Sequence, residues 1–125
     1  MISEENRLAS KVLDCAFTVH RSLGPGLLES AYQIAMEAEL EERGVKFIAQ
    51  YESPLEYKGR SLSTAYRLDL MVGEKLVVEL KSVDSLKNLH MAQLLTYLKL
   101  TDCKLGLILN FNTKLMKNGI KRVIL

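Results

Sequence analysis

Hydrophobic positions recur along this chain at two periods, and the change of period separates helices from strands. In residues 4–23 the apolar side chains Leu8, Val12, Ala16, Val19 and Leu23 fall three or four apart, the spacing of one helical face. Ser3 is a natural N-cap, and Glu4 and Glu5 sit in the first turn, where the helix dipole favours acids. Leu23-Gly24-Pro25-Gly26 breaks this helix, and a second is expected over residues 27–43, stopping at Gly44. The period drops to two in Val45-Lys46-Phe47-Ile48-Ala49-Gln50-Tyr51, a strand pattern. Ser53-Pro54 interrupts it, and Leu55-Glu56-Tyr57 is expected to extend it to a turn at Lys58-Gly59-Arg60. Residues 62–72 alternate, with Leu62, Thr64, Tyr66, Leu68, Leu70 and Val72 on one face and Arg67, Asp69 and Met71 on the other. Gly73-Glu74 turns into a strand over 76–83, and Ser85 is placed to cap a helix over 86–100. Residues 104–111 read as a core strand, and 120–125 as a last short strand after a turn at Asn118-Gly119.

The order α-α-β-β-β-α-β-β predicts an α/β protein of the α+β type, a mixed sheet flanked by helices. No repeat, low-complexity tract or linker divides residues 1–125, which read as one domain. At 125 residues, 48% of them hydrophobic, the chain is long enough to bury a core unaided. Cys15 and Cys103 stand far apart, which excludes a disulfide framework and a cysteine-rich zinc site and fits a reducing compartment. The acidic start is not a signal peptide, and no apolar run approaches the roughly 20 residues of a membrane span, so a cytoplasmic location is expected. With 6% aromatics and no Trp, a stacking platform for single-stranded bases is poorly supported. The net charge of +2 is uneven: residues 1–56 carry −5 and residues 57–125 carry +7. That asymmetry is compatible with a phosphate-bearing partner, although solvated lysines on edge strands give the same count.

A charged trio interrupts two otherwise apolar strands. Asp69 lies in Leu68-Asp69-Leu70, and Glu79 and Lys81 lie in Val78-Glu79-Leu80-Lys81, two apart and therefore on one face. A three-residue loop at Gly73-Glu74-Lys75 opposes Val72 with Leu76, and hence Asp69 with Glu79. Like charges at that distance repel unless a divalent cation or a shared proton intervenes. Oxygen ligands suit Mg²⁺ or Mn²⁺, and the lysine could act on a metal-bound water or on phosphate charge. Alternatively, Lys81 pairs with one carboxylate and the sheet edge solvates the other. Glu29, in the first turn of the second helix, shares a face with Tyr32 and Met36 that should look inward. Gln93 and Tyr97, four apart, share a face of the third helix, as they would on any half-buried amphipathic helix.

Asp69, nine intervening residues, then Glu79-Leu80-Lys81 resembles the signature of the PD-(D/E)XK nuclease superfamily, with Leu68 at the position usually written as proline. Gln93-Leu94-Leu95-Thr96-Tyr97 resembles the QxxxY motif of RecB-type nuclease domains. Gly26-Leu27-Leu28-Glu29-Ser30-Ala31-Tyr32 is similar to the segment that names the GxxExxY proteins, a family of small prokaryotic proteins of the same superfamily. The resemblance implies a restriction-endonuclease-like αβββαβ core with an extra N-terminal helix. It implies a metal-dependent nuclease acting on DNA or RNA. Asp69, Glu79 and Glu29 would then be ligands of Mg²⁺ or Mn²⁺, and Lys81 the catalytic lysine. Gln93 and Tyr97 would orient that lysine or contact substrate, with Tyr32 in a supporting or substrate-binding position. Some RecB-type nucleases use a first-helix histidine as a ligand, which makes His20 a further candidate; His90 reads as a surface residue. The alternative is a non-catalytic module that keeps the fold to bind nucleic acid or protein, or a domain whose trio is only an ion pair. Exposed edge strands are compatible with a homodimer or a partner protein; nothing suggests a membrane.

Overall fold

The computed structural model describes residues 2–62 and 66–125. Helix α1 (Glu4–Leu23) begins where Ser3 Oγ accepts the Asn6 N–H at 3.2 Å. Helix α2 (Glu29–Glu42) starts two residues later than the pattern suggests, because Gly24 and Gly26 both adopt positive φ and hold the connection in a non-helical path. Strand β1 (Phe47–Glu52) follows Gly44. The expected extension through Leu55-Glu56-Tyr57 does not form: β2 (Glu56–Tyr57) and β3 (Arg60–Ser61) make a separate two-stranded hairpin. Pro54 cannot donate to a ladder, so the break falls there. The strand expected over residues 62–72 appears as β4 (Arg67–Val72), with Thr64 outside the described residues. Strand β5 (Leu76–Lys81), helix α3 (Asn88–Thr101), strand β6 (Leu105–Asn110), a 3₁₀ turn (Met116–Gly119) and β7 (Ile120–Ile124) complete the chain. Ser85 does not cap α3. The cap comes from His90, whose Nδ1 accepts the Lys87 N–H at 3.0 Å.

The main sheet has the order β1-β4-β5-β6-β7, with β5 and β6 parallel and every other pair antiparallel. Helices α1 and α2 cover one face through Val12, Ala16, Tyr32, Met36 and Leu40, which pack on Leu70, Val78, Leu80 and Leu107. Helix α3, the crossover between the parallel strands, covers the other through Leu94 and Leu98 on Val77 and Ile108. This is a mixed α/β sheet of the expected class. Cys15 and Cys103 are free and buried, and among the described residues no helix is long and apolar enough to cross a membrane.

The loop after β6 is pinned tightly. A side-chain carbon at Gly119 would stand 2.0 Å from the Asn110 carbonyl oxygen, and Met116 is buried in the core beside it. Gly119→Ala is therefore expected to destabilise the protein by about 1–3 kcal/mol, as overpacked sites do, measured by urea denaturation. An unchanged midpoint would mean that the loop is free to move away.

Candidate functional site

The turn at Gly73-Glu74-Lys75 sets the register of the central hairpin. Val72 pairs with Leu76, Met71 with Val77 and Leu70 with Val78. The next positions are Asp69 and Glu79, and here side chains replace the backbone ladder. Glu79 Oε1 accepts the Asp69 N–H at 3.1 Å, and Asp69 Oδ2 accepts the Leu80 N–H at 2.8 Å. Each carboxylate thus takes a backbone donor from the other's strand. Both strands are interior to the sheet, so no sheet edge solvates either group, and Lys81 makes no ion pair with them among the described residues.

A second irregularity aims Asp69. On β1, Ala49 pairs with Leu70 and Tyr51 with Leu68, but Gln50 and Asp69 between them leave the ladder, and Gln50 has φ 51°. A left-handed residue inside a strand reverses the alternation of faces. Phe47 and Ala49 accordingly pack with α1 and α2, whereas Tyr51 packs with α3. Leu70 and Val72 likewise face α1 and α2, while Leu68 lies with α3 and the Tyr66 ring meets Tyr97 of α3 edge-on. The expected unbroken alternation of residues 62–72 therefore fails at Asp69. The rotation brings Asp69 to a groove of about 330 Å³ with Glu29, Gln33, Gln50 and Leu80 along its walls.

Glu29 is at the N-terminus of α2 and solvent-exposed rather than turned inward, yet it reaches the same groove. Its Oε2 accepts the Ser82 N–H at 3.3 Å, and Ser82 Oγ donates to the Leu27 carbonyl at 2.6 Å, joining α2 to the end of β5. Tyr32 is fully buried. Its ring stacks on Phe111 with centroids 4.4 Å apart. Its hydroxyl donates to the Gly24 carbonyl at 2.6 Å and accepts the Leu27 N–H at 3.2 Å, so it clamps the loop that leads to Glu29. Gln93 and Tyr97 line a second groove, of about 300 Å³, on the α3 side. His20 is not brought to the carboxylates: its Nε2 lies 2.8 Å from the Thr113 carbonyl, to which it can only donate, and it faces a separate groove. Gln33, Gln50 and Ser82 were not among the sequence candidates. Gln33, one helical turn from Glu29, donates to the Asp69 carbonyl at 3.1 Å and could have been found by its spacing. The left-handed backbone of Gln50 carries no signal in its residue type.

Burial governs the electrostatics. It pushes the Glu79 carboxyl from its usual 4.5 up to about 8, with the Asp69 charge acting in the same direction. Burial also raises Asp69, against the lowering effects of the Leu80 N–H and the Lys81 charge. The Tyr97 hydroxyl is raised by burial and then by the charges of Glu79 and Asp69, so it stands within their field. Among the described residues no three His, Cys, Asp or Glu side chains are gathered as a finished metal cage. What is assembled is a pair of hard oxygen donors that burial and mutual repulsion leave short of positive charge, with Glu29 across the groove. That donor set fits a divalent cation of the Mg²⁺ class.

A mixed sheet with an antiparallel β4–β5 hairpin, a helical crossover and paired carboxylates at its centre is consistent with the restriction-endonuclease-like fold. A family model of the PD-(D/E)XK nuclease superfamily matches residues 6–123, and the chain belongs to that superfamily. Members generally use divalent metal ions. Comparison with curated proteins and with solved structures returned no match.

Two expectations follow. Because Glu79 binds its proton more tightly when folded, its contribution to stability is complete below pH 4.5 and lost as pH rises through about 8. Metal-free protein should therefore weaken across that window, and Glu79→Gln should flatten the trend; equal pH slopes in urea titrations of the two proteins would contradict the burial argument. At Gln50, a left-handed φ costs an ordinary side chain about 1–2 kcal/mol. Native Gln50 already bears that cost, so Gln50→Gly should leave stability unchanged or raise it, while the β-branched Gln50→Val should lower it, read from denaturation midpoints.

Proposed function

We propose that this chain is a metal-dependent nuclease that hydrolyses phosphodiester bonds of DNA or RNA, of the GxxExxY type within its superfamily. The observation that carries the reading is the Asp69–Glu79 pair at the centre of the sheet, Glu79 buried and Asp69 half-buried, each fixed by the other strand's N–H. A protein that needed only stability would gain little from two carboxylates held against their own repulsion. Asp69 and Glu79, with Glu29 across the groove, would hold Mg²⁺ or Mn²⁺. When bound, such an ion polarises the scissile phosphate and lowers the pKa of the attacking water. Lys81, two residues beyond Glu79 on the same strand face and half-buried, would hold that water and offset charge on the phosphorane. Gln93 and Tyr97 would contact substrate or steady Lys81 from the α3 side, and Tyr32 would act only by fixing the loop before Glu29.

The decisive experiment is a cleavage assay on single- and double-stranded DNA and RNA with Mn²⁺, Mg²⁺ or EDTA. Asp69→Asn, Glu79→Gln and Lys81→Met should each reduce cleavage at least a hundredfold while retaining a folded thermal transition. Activity that persists in all three, or in EDTA, would overturn the assignment. Metal binding must also displace the Glu79 proton, so apparent Mn²⁺ affinity should rise up to tenfold per pH unit below about 8 and then level off. The rise in Tm with Mn²⁺, measured against pH in wild type and Asp69→Asn, reads this directly.

A further inference from the structure

Between the C-terminal end of α1 and the loop after β6 lies a groove of about 400 Å³ into which His20, Arg21, Lys114 and Lys117 face, with no carboxylate among its lining residues. Arg21, Lys114 and Lys117 are exposed and make no ion pair among the described residues. The cations are not on a loose tether. Met116 is buried between Lys114 and Lys117, Gly119 lies against the Asn110 carbonyl, and Thr113 donates from Oγ1 to the Leu115 carbonyl at 2.9 Å. His20 fastens the same loop to α1 through the Thr113 carbonyl at 2.8 Å.

The groove belongs to the same end of the sheet as the carboxylates. Lys81 and Asn110 are partners at the C-terminal ends of parallel β5 and β6, the end at which open α/β sheets take their ligands. The Asn110 side chain accepts the Val83 N–H at 3.1 Å and donates to the Val83 carbonyl at 3.0 Å, tying the start of the basic loop to the segment that follows Lys81. On the other side, residues 24–28 run directly from the end of α1 to Glu29. A phosphate chain approaching the groove of Asp69 and Glu29 meets carboxylates, and this pinned set of cations, without ion pairs among the described residues, is placed to offset their repulsion.

We propose that this groove binds the backbone phosphates of the nucleic-acid strand beside the carboxylate site, with Arg21, Lys114 and Lys117 as the phosphate contacts. The inference rests on the nuclease reading but makes a separate demand. Each neutralised phosphate contributes about 0.7 (single strand) to 0.9 (duplex) to the slope of log affinity against log salt.

The test is fluorescence anisotropy of labelled 20-nucleotide DNA and RNA, single-stranded and duplex, in EDTA over a range of salt. Wild type is compared with Lys114→Glu/Lys117→Glu and with Lys75→Glu/Lys104→Glu, which makes the same charge change at the start of β5 and β6, the opposite end of the sheet. The groove variant should bind at least tenfold more weakly, with a salt slope lower by about 1.4–1.8, while the control stays within about twofold of wild type; both should keep the Mn²⁺-induced rise in Tm. Equal losses in the two variants, or no loss in the groove variant, would overturn the proposal. So would a wild type that binds an acidic peptide but no oligonucleotide. A groove-dependent affinity in a protein that cleaves nothing would keep the groove and remove the nuclease reading.

Discussion

Two carboxylates at the middle of a β-hairpin substitute for the backbone there, and the rest of the site is arranged around that exchange. Where β4 and β5 would continue their ladder, Asp69 and Glu79 each accept an N–H from the opposite strand. The exchange satisfies donors that would otherwise be buried without partners, at a cost of well over 1 kcal/mol each. It also fixes two carboxyl groups side by side at the centre of the sheet, Glu79 buried and Asp69 half-buried at the groove. The upward displacement of both acids is the electrostatic record of that arrangement. A divalent cation, a shared proton or a nearby ammonium are the physical means of relief. Lys81 supplies the third only at a distance, since it forms no ion pair with either acid among the described residues.

The elements around the hairpin act as supports for this arrangement. Tyr32 looks in sequence like a member of a functional motif, but it works by locking Gly24 and Leu27, which sets where α2 begins and therefore where Glu29 stands. The spacing of Gly26, Glu29 and Tyr32 has a mechanical meaning: a glycine to turn the chain, an acid at the helix start, and one turn later an aromatic anchor stacked on Phe111. Ser82 completes the join from the β5 side.

Most of the fold was legible in the sequence because α1, β5 and β6 are strongly patterned and the Gly73-Glu74-Lys75 turn admits one register. The opposition of Asp69 and Glu79 followed from that turn alone. Three of the features that escaped did so for separate physical reasons. The Leu55-Glu56-Tyr57 extension failed because Pro54 ends ladder pairing. The cap of α3 came from a histidine at its third position rather than from the serine before it, a substitution that residue preferences do not rank. The alternation through β4 broke because its neighbour β1 turns left-handed at Gln50, and strand periodicity read one segment at a time cannot register a partner's kink.

That kink has a bearing on how molecules meet one another. Strand β1 lies at the margin of the sheet, with a strand neighbour on one side only among the described residues. Regular edges of this kind recruit strands from other chains and are the ordinary starting point of sheet-to-sheet aggregation. At Gln50 the edge is bent out of line midway along a strand of six residues, leaving on either side a stretch too short to template a stable partner strand. The same residue that turns Asp69 towards its groove therefore also blunts the exposed border of the sheet.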